Sequence, residues 1–224
     1  MRKALIATML ASAVMLSACG GGTKESGTEN LGNNTKEVDT ETEEADSESE
    51  ETEEAEYTLS QLLNTDPILF DCREGNIGKD LIISNAYVFH DGVVDGYDLY
   101  DITLGDVSKM SDEEITDFFD EKVAAGDIDK FYDGEKYVLF CDTDDSGNNV
   151  RREVIQLESG GSVILDEEGA SGIVYDSYYA GFETMGDPII ARVAEGTDVI
   201  FDTVDTEGIV LDADWGNDWE QYFQ

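Results

Sequence analysis

Residues 136–165 read KYVLFCDTDDSGNNVRREVIQLESGGSVIL. Three apolar runs stand in this stretch, at 136–141, 150–157 and 162–165. Between them lie Asp145-Ser146-Gly147 and Ser159-Gly160-Gly161, residue types that form turns through free backbone or side-chain bonds to the main chain. Short runs rich in Val, Ile, Tyr and Phe, cut by such residues, read as strands joined by turns. The pattern continues at 172–178, 189–193, 198–204 and 209–211, with Glu168-Gly169, Glu195-Gly196 and Glu207-Gly208 at the breaks. Turn signals about every ten residues predict a mainly β domain, either a sandwich or a small barrel.

Upstream the same reading holds with one exception. Pro67 forces an extended start to Ile68-Leu69-Phe70. In 81–90, Leu81, Ile83, Tyr87 and Phe89 fall on one face of a strand and Ile82, Ala86 and Val88 on the other, so both faces should be buried. Asp91-Gly92 and Asp95-Gly96 are turn signals, and 97–104 is the next strand candidate. The exception is one inserted α-helix, about 111–125. Ser111 and Glu114 form a capping box, Ile115, Phe118, Phe119 and Val123 recur at helical spacing, and Gly126 ends it. Residues 58–64 could add one or two helical turns, with Leu59, Leu62 and Leu63 on one side.

Three segments carry a resemblance: 134–141 (GEKYVLFC), 162–169 (SVILDEEG) and 190–197 (IARVAEGT). They resemble the immunoglobulin-like (telokin-like) modules of Gram-positive lipoproteins, over residues 134–213 at most. Those modules carry a strand, a later Leu-Asp-x-x-Gly turn and a turn ending in Gly before a final strand pair. This chain has Glu195 where the family usually shows proline, and it inserts a helix. The resemblance implies a binding or assembly module, and it supplies no shared catalytic residues. A five-stranded oligomer-binding barrel is the competing architecture.

The N-terminus addresses location. Arg2 and Lys3 precede an apolar run over 4–16, too short to cross a ~30 Å hydrocarbon core and suited to a signal peptide over 1–18. Leu16-Ser17-Ala18-Cys19 resembles the lipobox of bacterial lipoproteins. That family implies a diacylglyceryl thioether on Cys19 and cleavage before it. The protein would then be lipid-anchored at the extracytoplasmic face of the cell membrane.

Residues 20–56 carry 14 acidic and 2 basic side chains and no aromatic residue. With so little to bury, 19–56 is expected to be a lipidated cysteine followed by a disordered acidic linker. Stretched, it reaches roughly 120–130 Å at ~3.3–3.6 Å per residue, enough for a stalk. Partner binding by the acidic stretch itself is the rival use. From Tyr57 the aromatic residues begin, so 57–224 is expected to be a single β-rich domain with a core of its own. The two Trp, Tyr222 and Phe223 of the tail should dock on it.

Charge excludes one class of partner. The chain is at −40, and 57–224 alone, with 39 acidic and 9 basic side chains, is at −30. Nucleic acid and anionic lipid are repelled by such a surface. The expected partners are the membrane, through the lipid anchor, and an envelope protein or small ligand.

Few residues suggest chemistry. With Cys19 lipidated, Cys72 and Cys141 remain, and an exported protein could oxidise them to a disulfide; two buried free thiols are the other outcome. The one histidine, His90, lies beside Asp91 at a strand end, and a Cys72 nucleophile served by His90 is conceivable. No nucleophile elbow, zinc-protease pair or phosphate loop is present in the sequence.

The sharpest pattern is Asp142 to Glu153, which resembles the EF-hand calcium loop. Asp142, Asp144, Ser146 and Glu153 take positions 1, 3, 5 and 12, with Gly147 at 6 and Asn148 next to it. Asn149 stands where an aliphatic residue is usual, Arg151 and Arg152 crowd the site, and the flanks look like strands. A hairpin loop of turn-forming residues is the simpler account. Asp212, Asp214, Gly216, Asn217 and Asp218 form a poorer second candidate.

These features point to a cell-surface lipoprotein whose β-domain is a non-enzymatic ligand- or partner-binding module, without a cofactor unless Ca²⁺ binds. A carboxylate-based envelope hydrolase and a calcium-stabilised structural module of a surface complex are the alternatives.

Overall fold

The computed structural model describes residues 55–224. The signal peptide at 1–18, Cys19 and the linker as far as 54 lie outside the described residues. The chain enters through β1 (Ala55–Thr58), α1 (Leu59–Leu63) and β2 (Ile68–Cys72). The hairpin β3 (Ile83–His90) and β4 (Val93–Asp98) follows, then α2 (Leu104–Val107) and α3 (Asp112–Ala125). The rest is β5 (Asp129–Thr143), β6 (Val150–Leu157), β7 (Ser162–Leu165), β8 (Glu167–Val174), β9 (Ser177–Thr184), β10 (Asp187–Val193), β11 (Thr197–Ile200) and β12 (Val210–Leu211). A 3₁₀ turn, Trp219–Phe223, ends it.

The domain is mainly β, with α3 as the inserted helix. Its principal sheet runs β7-β6-β5-β4-β3-β2-β10-β9-β8, antiparallel at each step, and β12 adds to β5 in parallel. Only Asp166 separates β7 from β8, yet β7 pairs with β6 and β8 pairs with β9. One extended stretch therefore serves both ends of the sheet, and the sheet curls on itself. Asp166 N–H donates to the Glu183 carbonyl at 3.1 Å across the join. Of the two expected architectures, the small barrel is the nearer.

Curling gives the sheet an inside and an outside, and both are dry. Inside, Leu69, Tyr87, Phe89, Leu139, Ile155 and Phe182 pack with Leu59, Leu62 and Leu63 of α1. Outside, Phe70, Ala86, Val88, Tyr97, Tyr179 and Ile190 pack under α2 and α3. Ile115 and Phe119 of α3 are fully buried there, worth about 1.5–3 kcal/mol each. The cap sets where the helix starts. Ser111 Oγ accepts from Glu114 N–H at 3.2 Å, and Glu114 Oε2 accepts from Ser111 N–H at 2.8 Å. Gly126 closes it at φ 77°, a left-handed cap that glycine adopts without a Cβ penalty.

Five expectations are corrected. The first is the facing of β3. Ile83 joins Ala86 and Val88 on the outer face, away from Tyr87 and Phe89. The ladder to β2 pairs Asn85 with Asp71 but Ile83 with Cys72, so Ser84 is an extra residue and the parity flips there. The second is the strand candidate at 97–104: β4 already runs from Val93 through the expected turn at Asp95-Gly96, and it stops at Asp98. The Thr103 N–H and hydroxyl both donate to Asp106 Oδ2, and this box starts the short α2. Third, the stretch 198–204 leaves the ladder after Ile200. Fourth, the strand expected at 172–178 is cut by a turn at Tyr175-Asp176 between β8 and β9, and Glu168-Gly169, expected as a break, lies inside β8. Last, the domain begins before Tyr57. Ala55 and Glu56 pair in parallel with Thr197 and Asp198, a backbone ladder that needs no apolar side chains.

The tail docks as expected. The Tyr222 ring stands edge-on to buried Phe140, centroids 5.0 Å apart. A Cβ on Gly160 would come within 2.9 Å of the Trp219 ring, so a bare backbone is needed there.

Removing residues up to 58 deletes β1 and the Thr58 cap of α1 together. At about 1 kcal/mol for the cap and a similar amount for the ladder, a chain starting at Leu59 should melt roughly 4–8 °C below one starting at Ala55. Thermal unfolding followed by circular dichroism reads this, and equal melting would show that β1 contributes nothing.

Candidate functional site

The end of the β3–β4 hairpin meets the first turns of α3. Asp91 and Gly92, at φ 48° and 79°, make the two-residue turn that brings His90 opposite Val93. Val88 then pairs with Asp95, and His90 and Asp95 come together. His90 Nε2 lies 3.2 Å from Asp95 Oδ2, but its alignment makes no hydrogen bond. Asp95 is otherwise satisfied: Lys130 Nζ sits 3.0 Å from Oδ2, and Gly134 N–H donates to Oδ1 at 2.7 Å.

Beside this cluster opens a cavity of about 440 Å³. Ile68, Val88 and Phe89, from the start of β2 and the end of β3, line it but are nearly fully buried, and the Phe89 ring belongs to the inner core. Asp66, Asp112, Glu113 and Asp117 stand around it with Thr116. Asp112 is 3.4 Å from the Arg192 guanidinium. Asp66, Glu113 and Asp117 have no ion-pair partner among the described residues. The arrangement can hold a positively charged group at an acidic, solvated surface.

The calcium-loop residues are not gathered. Asp144 Oδ1 accepts from the Ser146 hydroxyl at 2.6 Å, Ser146 N–H at 3.0 Å and Asn148 N–H at 3.2 Å, and Asn149 Nδ2 donates to Oδ2 at 2.8 Å. These bonds hold its carboxyl well below the usual range. Asn148 bonds back to Ser146 within the same turn. Asp142 faces Arg152, at 3.7 Å. Glu153 pairs with Cys141, one residue out of step, and its side chain enters the inner core. The cause is the ladder: β6 begins at Val150, where the calcium loop would need a helix. The second stretch serves the first, since Asp212 accepts from the Thr143 N–H and hydroxyl, while Asp214 accepts from Asn217. Among the described residues no three His, Cys, Asp or Glu side chains are grouped to hold a metal.

Glu153 instead forms a buried acid pair. Its Oε1 accepts from Asp202 N–H at 2.8 Å and from the Cys141 thiol at 3.5 Å, and Oε2 has no partner. Asp202, also buried, accepts from Ser60 N–H at 2.9 Å and the Ser60 hydroxyl at 2.5 Å. Burial pushes the Glu153 carboxyl up to about 8, and the Asp202 charge adds to that. Sequence reasoning missed this role. The available signal was parity, since Glu153 stands two and four residues before Ile155 and Leu157, both inward-facing.

Cys72 and Cys141 are free, so the disulfide between them is not formed. Cys72 belongs to the outer core and Cys141 to the inner, on opposite faces of the sheet. Burial raises both thiols far above their usual value, which leaves them inert as nucleophiles. Cys72 pairs with Ile83, at the other end of β3 from His90, so those two are not brought together. No family model, no curated protein and no solved structure matches the chain.

A Glu153→Gln variant separates two roles for this carboxyl. Its folded-state value is raised above the ordinary 4.5, so between 4.5 and about 8 the folded state binds more protons than the unfolded chain. The stability it contributes is full below 4.5 and is lost as pH rises towards 8, on the order of 3–5 kcal/mol in all. Urea unfolding of the native protein between pH 5 and 8 should show that fall, and Glu153→Gln should flatten it. With a carboxyl this enclosed, calcium and magnesium should shift melting equally in both forms. A calcium-selective rise lost in Glu153→Gln would return the loop to candidacy as a metal site.

Proposed function

We propose that the protein is a lipid-anchored cell-surface lipoprotein whose β-domain is a non-enzymatic module that binds a ligand or partner at the cell envelope. The groove beside α3 carries the binding half of this reading. Of the carboxylates around it, Asp95 and Asp112 are met by Lys130 and Arg192, while Asp66, Glu113 and Asp117 have no ion-pair partner among the described residues. The groups that could act as nucleophile and base are poorly suited to it, since both thiols are raised by burial and His90 is drawn to an Asp95 that Lys130 already neutralises. The location half rests on Leu16-Ser17-Ala18-Cys19 and the acidic stretch that follows, whose self-repulsion favours an extended stalk.

Two measurements test the two halves. The native protein should fractionate with membranes and a Cys19→Ser variant should not; equal fractionation of both removes the anchor. For the groove, Thr116→Cys places a thiol at its side, in a chain whose other cysteines are lipidated or buried. A membrane-impermeant maleimide should label that thiol more slowly on intact cells than in the purified protein, because an envelope ligand covers it. Equal rates mean that the groove is empty in place, and the binding reading falls.

A further inference from the structure

The strap that joins β11 to β12, residues 201–209, has no place in a ladder. Among the described residues its backbone makes two hydrogen bonds to the rest of the domain, and carboxylates accept both. Phe201 N–H donates to Glu168 Oε1 at 2.5 Å, and Asp202 N–H donates to Glu153 Oε1 at 2.8 Å. The Asp202 carboxylate in turn accepts from the Ser60 N–H and hydroxyl, which fixes the first turn of α1. Packing adds the Phe201 ring, stacked on Phe182 with centroids 5.1 Å apart, and Ile209. The strap therefore closes the inner core where α1 meets β5. A cavity of about 260 Å³ lies there, lined by Leu63, Tyr137, Leu139 and Ile209 among others.

The fastening at Asp202 depends on how much charge it holds. Glu153 is fully buried and Asp202 nearly so, and neither has an ion-pair partner among the described residues. Around Glu153, β5 presents the Cys141 thiol, with Asp142 next to it facing Arg152. β7 sets apolar Leu165 opposite, and α1 brings the uncharged Ser60 to Asp202. Arg152, the adjacent cation, is taken by Asp166 as well. The two acids are not alike. Asp202 has both oxygens met by Ser60, which suits an ionised carboxylate. Glu153 has both of its donors on Oε1 and none on Oε2. Ionised, it would hold a buried charge on an oxygen without a donor, beside a second anion. A proton on Oε2 removes that cost. Moving the strap removes it too, because water then reaches both carboxylates.

We propose that Glu153 and Asp202 form a proton-operated latch: a single proton on the pair keeps the strap shut over α1 and the inner core, and its loss releases the strap while the curled sheet stays folded. The sheet can outlast the strap because its nine-strand path does not include 201–209. Burial raises the Glu153 carboxyl to about 8 with the strap shut, and its ordinary value of 4.5 returns once water reaches it. Between those values opening releases one proton, so the open fraction rises about tenfold per pH unit. Acid shuts the latch and alkali opens it.

Hydrogen exchange of the purified full chain, read at single amides by NMR between about pH 5.5 and 7.5, tests this. The Ser60, Phe201 and Asp202 amides should exchange at least about tenfold faster than ladder amides of β9 and β10, since the strap opens without the sheet. Exchange through an opening is the open fraction times a hydroxide-catalysed rate, so these three should speed up about a hundredfold per pH unit and not the ordinary tenfold. Glu153→Gln keeps the acceptor for Asp202 N–H and cannot ionise, so it should return them to about tenfold. Asp205→Asn, which removes an exposed charge of the strap, should leave the steep dependence in place. A tenfold dependence in the native chain would overturn the proposal, as would strap amides that exchange no faster than the ladder. Flattening by Asp205→Asn as well would mean repulsion across a −30 domain and would also overturn it. If Glu153→Gln does not fold, the side-chain carboxyl carbon of Glu153 in the native chain decides: it should report the protonated acid at pH 7, and an ionised signal there overturns the latch.

Discussion

The stretch 162–174 is hydrogen-bonded to both ends of one sheet, and the rest of the domain depends on that constraint. A strand that leaves β6 at Leu165 and joins β9 at Glu167 forces the seven strands between to curl. An open sheet of this size would have two long edges with unpaired N–H and C=O groups. Here one continuous stretch satisfies both. The curl also creates the need for α1, whose three leucines fill the inner core, and for α2 and α3, which cover the outer face. Asp202 ties the segment after β11 to the start of α1 through Ser60, so the inner filling is anchored by polar bonds as well as packing.

Local features were legible in the sequence, and relationships between distant segments were not. The helix at 112–125 was readable because its cap, its period and its terminal glycine all lie within sixteen consecutive residues. The strands at 136–141, 150–157, 162–165 and 189–193 were readable because each is bounded by its own turn residues, whereas β8 and β9 were not, because their turn at Tyr175-Asp176 carries no glycine and Glu168-Gly169 sits inside β8. The facing of Ile83 was not, because Ser84 is extra only relative to β2, fourteen residues away in register. The edge pairing of Ala55 and Glu56 was not, because two acidic-linker-like residues become a strand only when Thr197 and Asp198 lie beside them. Composition assigns a segment by what it can bury, and a backbone ladder does not depend on that.

The candidate site divides in the same way. The calcium pattern was a local match, and a local competitor defeated it, since strand propensity from Val150 onward set the ladder and sent Glu153 inward. The groove could not be read at all. Asp66, Val88 and Asp117 lie on three segments, and nothing in their spacing announces that they share a cavity. What composition did give was the sign of the field: a domain at −30 repels nucleic acid and anionic lipid.

An acid excess this large has to be accommodated, and the domain does so by four distinct routes. Glu153 sheds its charge by taking up a proton inside the core. Asp144 is held ionised by hydrogen-bond donors of its own turn. Asp95 and Asp112 are met by Lys130 and Arg192, two of only nine basic side chains in 57–224. The remaining carboxylates depend on water. For most of them water is plentiful and the cost is small. Asp66, Glu113 and Asp117, which stand together near the start of α3, are among them, and all three are exposed. With basic residues this scarce, those three have no ion-pair partner among the described residues, and water alone screens them.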